Sequence, residues 1–207
     1  MFDLTRRHLY LCVPHRDDMA IFLPAILRGG VDVVQLREKD LPEDRRLRTA
    51  RLMVPICRDF NVPFIMNDSP HLAAASGADG VHVGQDDDSV ERCRELLGEA
   101  AIVGLSTHAD GEFDVALTSG ASYFSAGPVV ATPTKLGREA TGVAYAVASQ
   151  ARSDRPVFVT GGVNADTIGA HVARGLRHFV VVRALTEAPD PQAASRALRR
   201  AFDIACN

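Results

Sequence analysis

Residues 77–83 of the chain read GADGVHV, in which a glycine is followed within a few residues by a short apolar run. The same arrangement recurs without gaps at residues 30–34 (GVDVV), 120–124 (GASYF) and 175–179 (GLRHF). Each copy is typical of a glycine that ends a helix and is followed by a strand. The copies are 43 to 55 residues apart, a distance that fits two strand–helix units. Four copies therefore predict eight strands, the number that closes a (β/α)8 barrel.

Short apolar runs bounded by turn residues support this count. The predicted strands are residues 9–13, 31–36, 63–66, 80–83, 102–105, 123–126, 157–160 and 179–182. Helical apolar spacing lies between them, and strands that alternate with helices indicate a parallel sheet covered by helices. We therefore predict an α/β fold, a (β/α)8 TIM barrel formed by residues 1–207 as a single domain. An open doubly wound sheet is the alternative, although its usual GxGxxG turn is replaced here by VPHRDD after the first strand.

The composition favours an ordinary soluble protein, with 46% hydrophobic residues and a formal net charge of -3. This charge gives no general reason to expect a nucleic acid or a membrane as partner. The apolar run before Pro14 is too short for a signal peptide, which predicts a cytoplasmic protein. The cysteines are widely spread and are expected to be reduced structural thiols: Cys12, Cys57, Cys93 and Cys206.

Unusual polar residues follow the predicted strands at their carboxyl ends, where the chemistry of such barrels is located. Two of them are Lys39 and Lys135, the only lysines in a chain with 21 arginines. A lysine ammonium suits a phosphate oxygen in a crowded pocket, and Arg37 can add a bidentate contact. The alternative is that Lys39 pairs with Glu38 or Asp40 on the surface.

Carboxylates follow two neighbouring predicted strands, Asp68 after the third and Asp86–Asp88 after the fourth. Mg²⁺ commonly takes one or two protein carboxylates together with phosphate oxygens and water, so these residues predict a magnesium site. A competing interpretation is that Asp88 or Ser89 caps the next helix. The sequence has no HExxH motif and no Cys/His cluster that would indicate zinc.

Hydroxyls and glycines after the sixth and seventh strands suit a second phosphate, although glycine pairs are often only turns. These residues are Thr132, Thr134 and the pair Gly161-Gly162. His82 lies within an apolar strand and is predicted to be a hydrogen-bonded core histidine. His108 is expected either to line the pocket or to cap a helix.

Seven segments, taken together, resemble the thiamine phosphate synthase family in the same order and at compatible spacings. They read VVQLREKD, FIMNDSP, GADGVHVGQDD, GLSTH, GPVVATPTK, TGGVN and VVVRAL. The resemblance implies a (β/α)8 barrel that joins hydroxymethylpyrimidine diphosphate to a thiazole phosphate and releases pyrophosphate with Mg²⁺ as cofactor.

The resemblance also implies roles for individual residues. The pyrimidine diphosphate would be bound by Gln35, Arg37, Lys39, Asn67, Ser106 and Lys135, of which Arg37, Lys39, Ser106 and Lys135 would be catalytic. Asp68 and Asp87 would bind the metal. The thiazole phosphate would be bound by Thr132, Thr134, Gly162, Val182 and Arg183.

The chain departs from the family pattern at Ser69, at Val130-Ala131 and at Arg183. Three other functions remain open: a thiazole tautomerase on the same barrel, a Schiff-base aldolase that uses Lys39 or Lys135, and a binding protein without turnover. Barrels of this class are often dimers, so a homodimer is a further expectation. The loop TKLGREATG is a candidate lid over the pocket.

Overall fold

The strands close into a parallel barrel in chain order, from β1 through β8 and back to β1. The structure is a computed structural model that describes residues 2–131 and 139–207. The strands are β1 Leu9–Val13, β2 Val33–Leu36, β3 Phe64–Asn67, β4 Gly80–Val83, β5 Ile102–Thr107, β6 Tyr123–Ala126, β7 Val157–Val159 and β8 His178–Val181. The prediction of a (β/α)8 TIM barrel is confirmed, and the open sheet is wrong.

Five of the eight strands differ from the prediction by one or two residues at an end, and the differences at β2 and β5 have identifiable reasons. β2 begins at Val33 rather than at residue 31, because Asp32 turns its carboxylate onto the backbone N–H groups of His8 and Leu9. β5 continues two residues beyond the predicted end, because Ser106 and Thr107 still pair with β6. Polar residues therefore form part of the barrel wall at the carboxyl end of β5.

Helices cover the outside of the barrel, and a short 3-10 helix at Leu4–Arg6 precedes β1. The α-helices within the described residues are α1 Met19–Arg28, α2 Glu43–Asp59, α3 Pro70–Ser76, α4 Val90–Leu97, α5 Asp110–Thr118, α6 Val143–Ala151, α7 Ile168–Val172, α8 Arg183–Thr186 and α9 Pro191–Cys206. Gly77 caps α3 in the left-handed conformation at φ 77°, as the repeated pattern predicts. None of the described helices is both long and apolar enough to cross a bilayer.

The side chains of a strand alternate between the inside of the barrel and the layer beneath the helices. In β1, Leu9, Leu11 and Val13 belong to the cluster between strands and helices, whereas Tyr10 belongs to the cluster inside the barrel. The inside cluster fills the amino-terminal half of the barrel with Leu4, Tyr10, Val33, Ile65, Ile102, Tyr123 and Phe158. Further along the strands the inward positions are polar, so the barrel is closed at one end and open to ligands at the other.

Cys12, Cys57, Cys93 and Cys206 form no disulfide bonds, and the first three are buried. Burial raises the pKa of the Cys57 thiol, and it raises that of Cys93 to about 11. Both groups are therefore protonated at neutral pH. A protonated thiol is a poor nucleophile, so neither is suited to covalent catalysis.

Candidate active site

A cavity of about 730 Å³ opens at the carboxyl ends of the strands. Ten of the residues predicted from the sequence line this cavity: Gln35, Arg37, Lys39, Asn67, Asp68, Asp87, Ser106, Gly162, Val182 and Arg183. Thr132, Thr134 and Lys135 lie outside the described residues, as does most of the candidate lid, and their roles stay predictions. The fold thus gathers residues from six strand ends around one space.

Lys39 and Asp68 form an ion pair at the rim of the cavity. Lys39 Nζ lies 2.8 Å from Asp68 Oδ2, and the lysine side chain is about half exposed. The alternative that Lys39 pairs with Glu38 or Asp40 is therefore wrong. A surface pair of this kind contributes only about 0–1 kcal/mol to stability. Its effect is to place a cation from the β2 loop against a carboxylate from the β3 end.

Asp68 has an unusual backbone conformation, with a φ of 61° that few residues other than glycine adopt. Its N–H donates to the carbonyl of His82 at 2.8 Å, and Ser69 beyond it caps α3 by accepting a hydrogen bond from Leu72 N–H. Such a conformation costs about 1–3 kcal/mol and often occurs at functional sites. Here it directs the Asp68 carboxylate toward the cavity.

Asp87 lies close to Asp68 and is held by the turn after β4. Its Oδ2 accepts a hydrogen bond from Gly84 N–H at 2.7 Å. Burial raises the pKa of Asp87 and the nearby charge of Asp68 acts in the same direction, although the Gly84 hydrogen bond opposes them. Ser89 caps α4 by accepting from Arg92 N–H, so Asp88 is not the side-chain cap. The carboxylates of Asp87 and Asp68 therefore both line the cavity.

This carboxylate pair fits a magnesium ion better than a structural metal. Among the described residues no group of three or more His, Cys, Asp or Glu side chains could hold a metal by itself. Mg²⁺ usually takes one or two carboxylates and completes its shell with phosphate oxygens and water. Asp68 and Asp87, beside Arg37 and Lys39, have the donor chemistry for a metal that binds together with a phosphorylated ligand.

Glu38 holds the segment that carries the cationic side chains. Its Oε2 accepts from His15 N–H at 3.1 Å and its Oε1 accepts from Asp40 N–H at 2.9 Å. Burial alone would raise the pKa of Glu38, but the backbone N–H groups of Asp40, His15 and Leu41 outweigh it and lower the pKa. Sequence reasoning treated Glu38 only as a possible partner of Lys39. Its contacts join the loops after β1 and β2 and fix the direction of both.

His82 and His108 lie in the environments that the sequence predicted, the core and the pocket wall. His82 is buried, with Nδ1 2.9 Å from Tyr123 Oη and Nε2 2.8 Å from Ser106 Oγ, so the core histidine is confirmed. His108 lines the cavity and also contacts Glu112 in the first turn of α5, with Nδ1 3.0 Å from Oε2. His82 and Ser106 lie at the distance of a serine nucleophile and its base, but among the described residues the partner of His82 Nδ1 is the Tyr123 hydroxyl and not a carboxylate.

The Gly161-Gly162 pair does more than form a turn. Gly162 has a φ of 71°, and an added Cβ there would lie 2.6 Å from Cγ2 of Val130. The glycine therefore lets the loop after β7 approach the loop after β6 at the cavity wall. Val182 and Arg183, at the start of α8, line the same side. This side of the cavity is apart from the two carboxylates in chain order and in the barrel.

Residues 9–185 match the family model described as thiamine monophosphate synthase. The chain belongs to this family. It is 45% identical over 181 residues to a thiamine-phosphate synthase of Thermus thermophilus, covering 86% of this chain and 87% of the relative. It is 41% identical over 198 residues to a thiamine-phosphate synthase of Acidothermus cellulolyticus, covering 93% of each.

A solved structure agrees with the family assignment. The chain superimposes on the thiamine phosphate pyrophosphorylase from Pyrococcus furiosus with a TM-score of 0.87 and 25% identity, covering 97% of both chains. The similarity extends over the whole barrel and not only over the motifs around the cavity. The fold and the family are therefore supported by independent comparisons.

Sequence reasoning missed the floor of the cavity in this thiamine monophosphate synthase family member. Tyr10, Cys12 and Ser125 also line it, although they lie within apolar strands. The signal was present in the alternation of β1, LYLCV, which places Tyr10 and Cys12 on the face opposite Leu9, Leu11 and Val13. What the sequence lacked was the register, which pairs Cys12 with Gln35 and Ser125 with Ser106.

Proposed function

We propose that this chain is a thiamine-phosphate synthase, which condenses hydroxymethylpyrimidine diphosphate with a thiazole phosphate to give thiamine phosphate and pyrophosphate. The family assignment supports this reaction. The observation that carries it in this chain is the Lys39–Asp68 ion pair next to Asp87 and Arg37. A diphosphate with a divalent cation would engage both members of that pair, since one is a cation and the other a metal-binding carboxylate.

The proposed substrate contacts divide between the two sides of the cavity. On one side, the pyrimidine diphosphate binds to Gln35, Arg37, Lys39, Asn67, Ser106 and Lys135. On the other, the thiazole phosphate binds to Thr132, Thr134, Gly162, Val182 and Arg183. The backbone N–H groups of Val182 and Arg183 would serve the phosphate, which leaves the identity of the Arg183 side chain free to vary.

Mg²⁺ is the proposed cofactor, held by Asp68 and Asp87. When bound, it supplies positive charge that offsets the negative charge of the diphosphate. The raised pKa of Asp87 suits this role, because a carboxylate crowded by a second carboxylate gains most from a cation. Lys39 would exchange its contact with Asp68 for a phosphate oxygen.

The chemical step requires stabilisation of a leaving group. The bond between the pyrimidine methylene carbon and the diphosphate oxygen breaks, and its electron pair departs with pyrophosphate. The thiazole nitrogen then donates its lone pair to the methylene cation and forms the new C–N bond. Arg37, Lys39 and Lys135 would stabilise the growing negative charge, and preorganised charges of this kind lower a barrier by several kcal/mol. This chemistry needs no side-chain nucleophile.

The direct test mixes both phosphorylated precursors with the enzyme and Mg²⁺ and measures thiamine phosphate by chromatography. We expect product only when both precursors and enzyme are present. A binding protein without turnover would give no product, and that result would refute the proposal.

Two rival reactions have distinct signatures. A thiazole tautomerase would isomerise the thiazole phosphate alone and would have no use for the diphosphate cations or the two carboxylates. A Schiff-base aldolase would be trapped by borohydride in the presence of a carbonyl substrate. The ion pair of Lys39 with Asp68 disfavours an aldolase that uses Lys39, because an ion-paired ammonium has no free electron pair for attack on a carbonyl. Borohydride trapping also tests an aldolase that uses Lys135.

Broader expectations accompany this proposal. The enzyme is a single catalytic domain that acts in the cytoplasm on small molecules, without a nucleic acid or membrane partner. A homodimer is expected for a barrel of this class. Light scattering of the purified chain would measure its mass in solution and decide between monomer and dimer.

A further inference from the structure

A chain of buried hydrogen bonds runs beneath the cavity and ends at Ser106. Gln35 Nε2 lies 2.8 Å from Tyr10 Oη, and Tyr10 Oη lies 2.8 Å from Tyr123 Oη. Tyr123 Oη in turn lies 2.9 Å from His82 Nδ1, and His82 Nε2 lies 2.8 Å from Ser106 Oγ. The two tyrosines are each only 1% exposed. Side chains from β1, β2, β4, β5 and β6 are thus connected in one line.

From this line we infer that Tyr123 is a positioning residue: through His82 it makes the Ser106 hydroxyl a hydrogen-bond donor toward the cavity. The inference rests on the proposed function, in which Ser106 contacts the diphosphate. It adds Tyr10, Tyr123 and His82 to the residues on which that contact depends.

Counting the available protons shows which atom donates in each of these hydrogen bonds. Burial raises the pKa of Tyr10 and of Tyr123, so each phenol keeps its single proton. The Gln35 amide donates to Tyr10 while its oxygen accepts from the Cys12 thiol, whose Sγ lies 3.3 Å away. Tyr10 therefore donates to Tyr123, and Tyr123 donates to His82 Nδ1. A neutral imidazole that accepts at Nδ1 carries its proton on Nε2.

The proton on His82 Nε2 determines what Ser106 can do. Ser106 Oγ accepts from His82, and Ser125 Oγ lies 3.2 Å away as a second donor. A hydroxyl oxygen can accept two hydrogen bonds and donate one. His82 and Ser125 use both acceptor positions of Ser106, so its proton is available for donation to a ligand in the cavity. A diphosphate oxygen only accepts hydrogen bonds. In the reverse direction Ser106 would donate to His82 and could not donate to such a ligand.

Gly104 in the barrel wall leaves space for these hydrogen-bonded side chains. A Cβ added to Gly104 would lie 2.1 Å from Tyr123 Cζ and 2.4 Å from His82 Nδ1. The tyrosine ring and its hydrogen bond therefore occupy the space that any larger residue at position 104 would fill. The Tyr123 and His82 rings also stack, with centroids 5.4 Å apart. Three strands thus fix the geometry of one hydrogen bond.

The first test reads the proton position on His82 directly. Nitrogen NMR of the full-length chain with labelled histidine, assigned with His82→Gln, distinguishes the two ring nitrogens. We expect the proton on Nε2 in the unaltered protein and a loss of this preference in Tyr123→Phe, which keeps the ring. Tyr145→Phe is the matched control, because Tyr145 Oη bonds to Ala109 O outside the chain of hydrogen bonds. A proton on Nδ1, or an unchanged spectrum in Tyr123→Phe, would overturn the inference.

The second test asks whether Tyr123 acts through Ser106. A hydrogen bond to a charged group contributes roughly 10- to 100-fold in binding, so Tyr123→Phe should lower kcat/KM for the pyrimidine diphosphate by about tenfold. In a Ser106→Ala background the same substitution should change kcat/KM less than about twofold. Equal losses in both backgrounds would show that Tyr123 acts independently of Ser106. If the unaltered protein makes no thiamine phosphate, the proposed function fails, while the NMR result still decides the direction of the chain of hydrogen bonds.

Discussion

The contact between Lys39 and Asp68 joins two side chains for which we propose different ligands, a phosphate and Mg²⁺. In the structure each neutralises the other across 2.8 Å at the cavity rim. The pair is too exposed to stabilise the fold appreciably. Its position instead keeps an ammonium that we propose binds phosphate beside a carboxylate that we propose binds Mg²⁺. That arrangement explains why a chain rich in arginine keeps a lysine here, since a compact ammonium can move between a carboxylate and a phosphate oxygen.

Replacement of Asp68 should remove activity without unfolding the protein. We expect Asp68→Asn to lower turnover by at least roughly a hundredfold, the scale of losing one electrostatic stabiliser of a transition state. Steady-state kinetics would measure this, and Lys135→Ala should behave alike. Asp44→Asn is the control, because Asp44 forms an exposed ion pair with Arg48 on α2, away from the cavity. Near-normal turnover in both site variants would refute the assigned roles.

The contribution of Glu38 to the free energy of unfolding should depend on pH. Its pKa is lowered in the folded chain, so its contribution to stability is full above the ordinary glutamate pKa of 4.5 and is lost as pH falls through the lowered value. Glu38→Gln should therefore destabilise the protein by about 1 kcal/mol near neutral pH and by less below about pH 4. Urea unfolding across this range would measure the difference.

The control for Glu38 is Glu99→Gln, an exposed glutamate in the turn after α4. We expect it to leave the free energy of unfolding nearly unchanged at each pH. A Glu38→Gln deficit that does not shrink as the pH is lowered would show that the backbone contacts of the carboxylate do not account for its effect.

Ser69, one of the departures from the family pattern, caps α3. Its Oγ accepts from Leu72 N–H at 3.2 Å, directly after the strained Asp68. Ser69→Ala should lower the free energy of unfolding by about 1 kcal/mol, whereas Ser69→Asp should keep the cap. Chemical denaturation would compare both with Ser76→Ala at the other end of the helix. Equal stability of the Ala and Asp variants would contradict the capping role.

The elements were largely predictable, because their signals are local. Glycines at residues 30, 77, 120 and 175 all have positive φ, and each precedes a strand as the repeated pattern indicated. The upper end of β5 was not predictable, since Ser106 and Thr107 join the sheet through their β6 partners rather than through their own apolarity. Likewise, the positive φ of Asp68 depends on a hydrogen bond to His82 in another strand.

The site was predictable in its composition but not in its internal contacts. The strand-end positions of Arg37, Lys39, Asp68 and Asp87 follow from the barrel topology. The contacts of Glu38 with His15 and of Tyr123 with His82 join residues from different strands or loops. Such contacts depend on three-dimensional register, which a single sequence does not contain.

The apolar packing of the barrel interior lies in its amino-terminal half, whereas the candidate site lies at the carboxyl ends of the strands. Its amino-terminal half is filled by an apolar cluster in which Phe158 packs edge to face against Tyr10 and Tyr123. Full burial of such a side chain contributes about 1.5–3 kcal/mol. The carboxyl-terminal half can therefore carry charged and strained residues, because the packing below it maintains the barrel.

Ligands should stabilise the whole molecule through the carboxylate pair. Binding to the folded chain alone adds about 2.7 kcal/mol when ligand is about a hundredfold above its Kd, so Mg²⁺ with pyrophosphate should raise the Tm. Differential scanning calorimetry would compare Mg²⁺ with pyrophosphate, each alone, and the same mixture with Asp68→Asn. A rise of equal size in the variant would argue against a metal site at Asp68.

We propose that charges gathered at the barrel mouth drive the departure of pyrophosphate and its replacement by the thiazole nitrogen. The most direct measurement follows thiamine phosphate and pyrophosphate together over time, with both precursors and Mg²⁺, before and after addition of a chelator. We predict equal amounts of the two products and arrest of both when the metal is removed. Pyrophosphate without thiamine phosphate, or product formation that continues at full rate with the chelator, would rule out this mechanism.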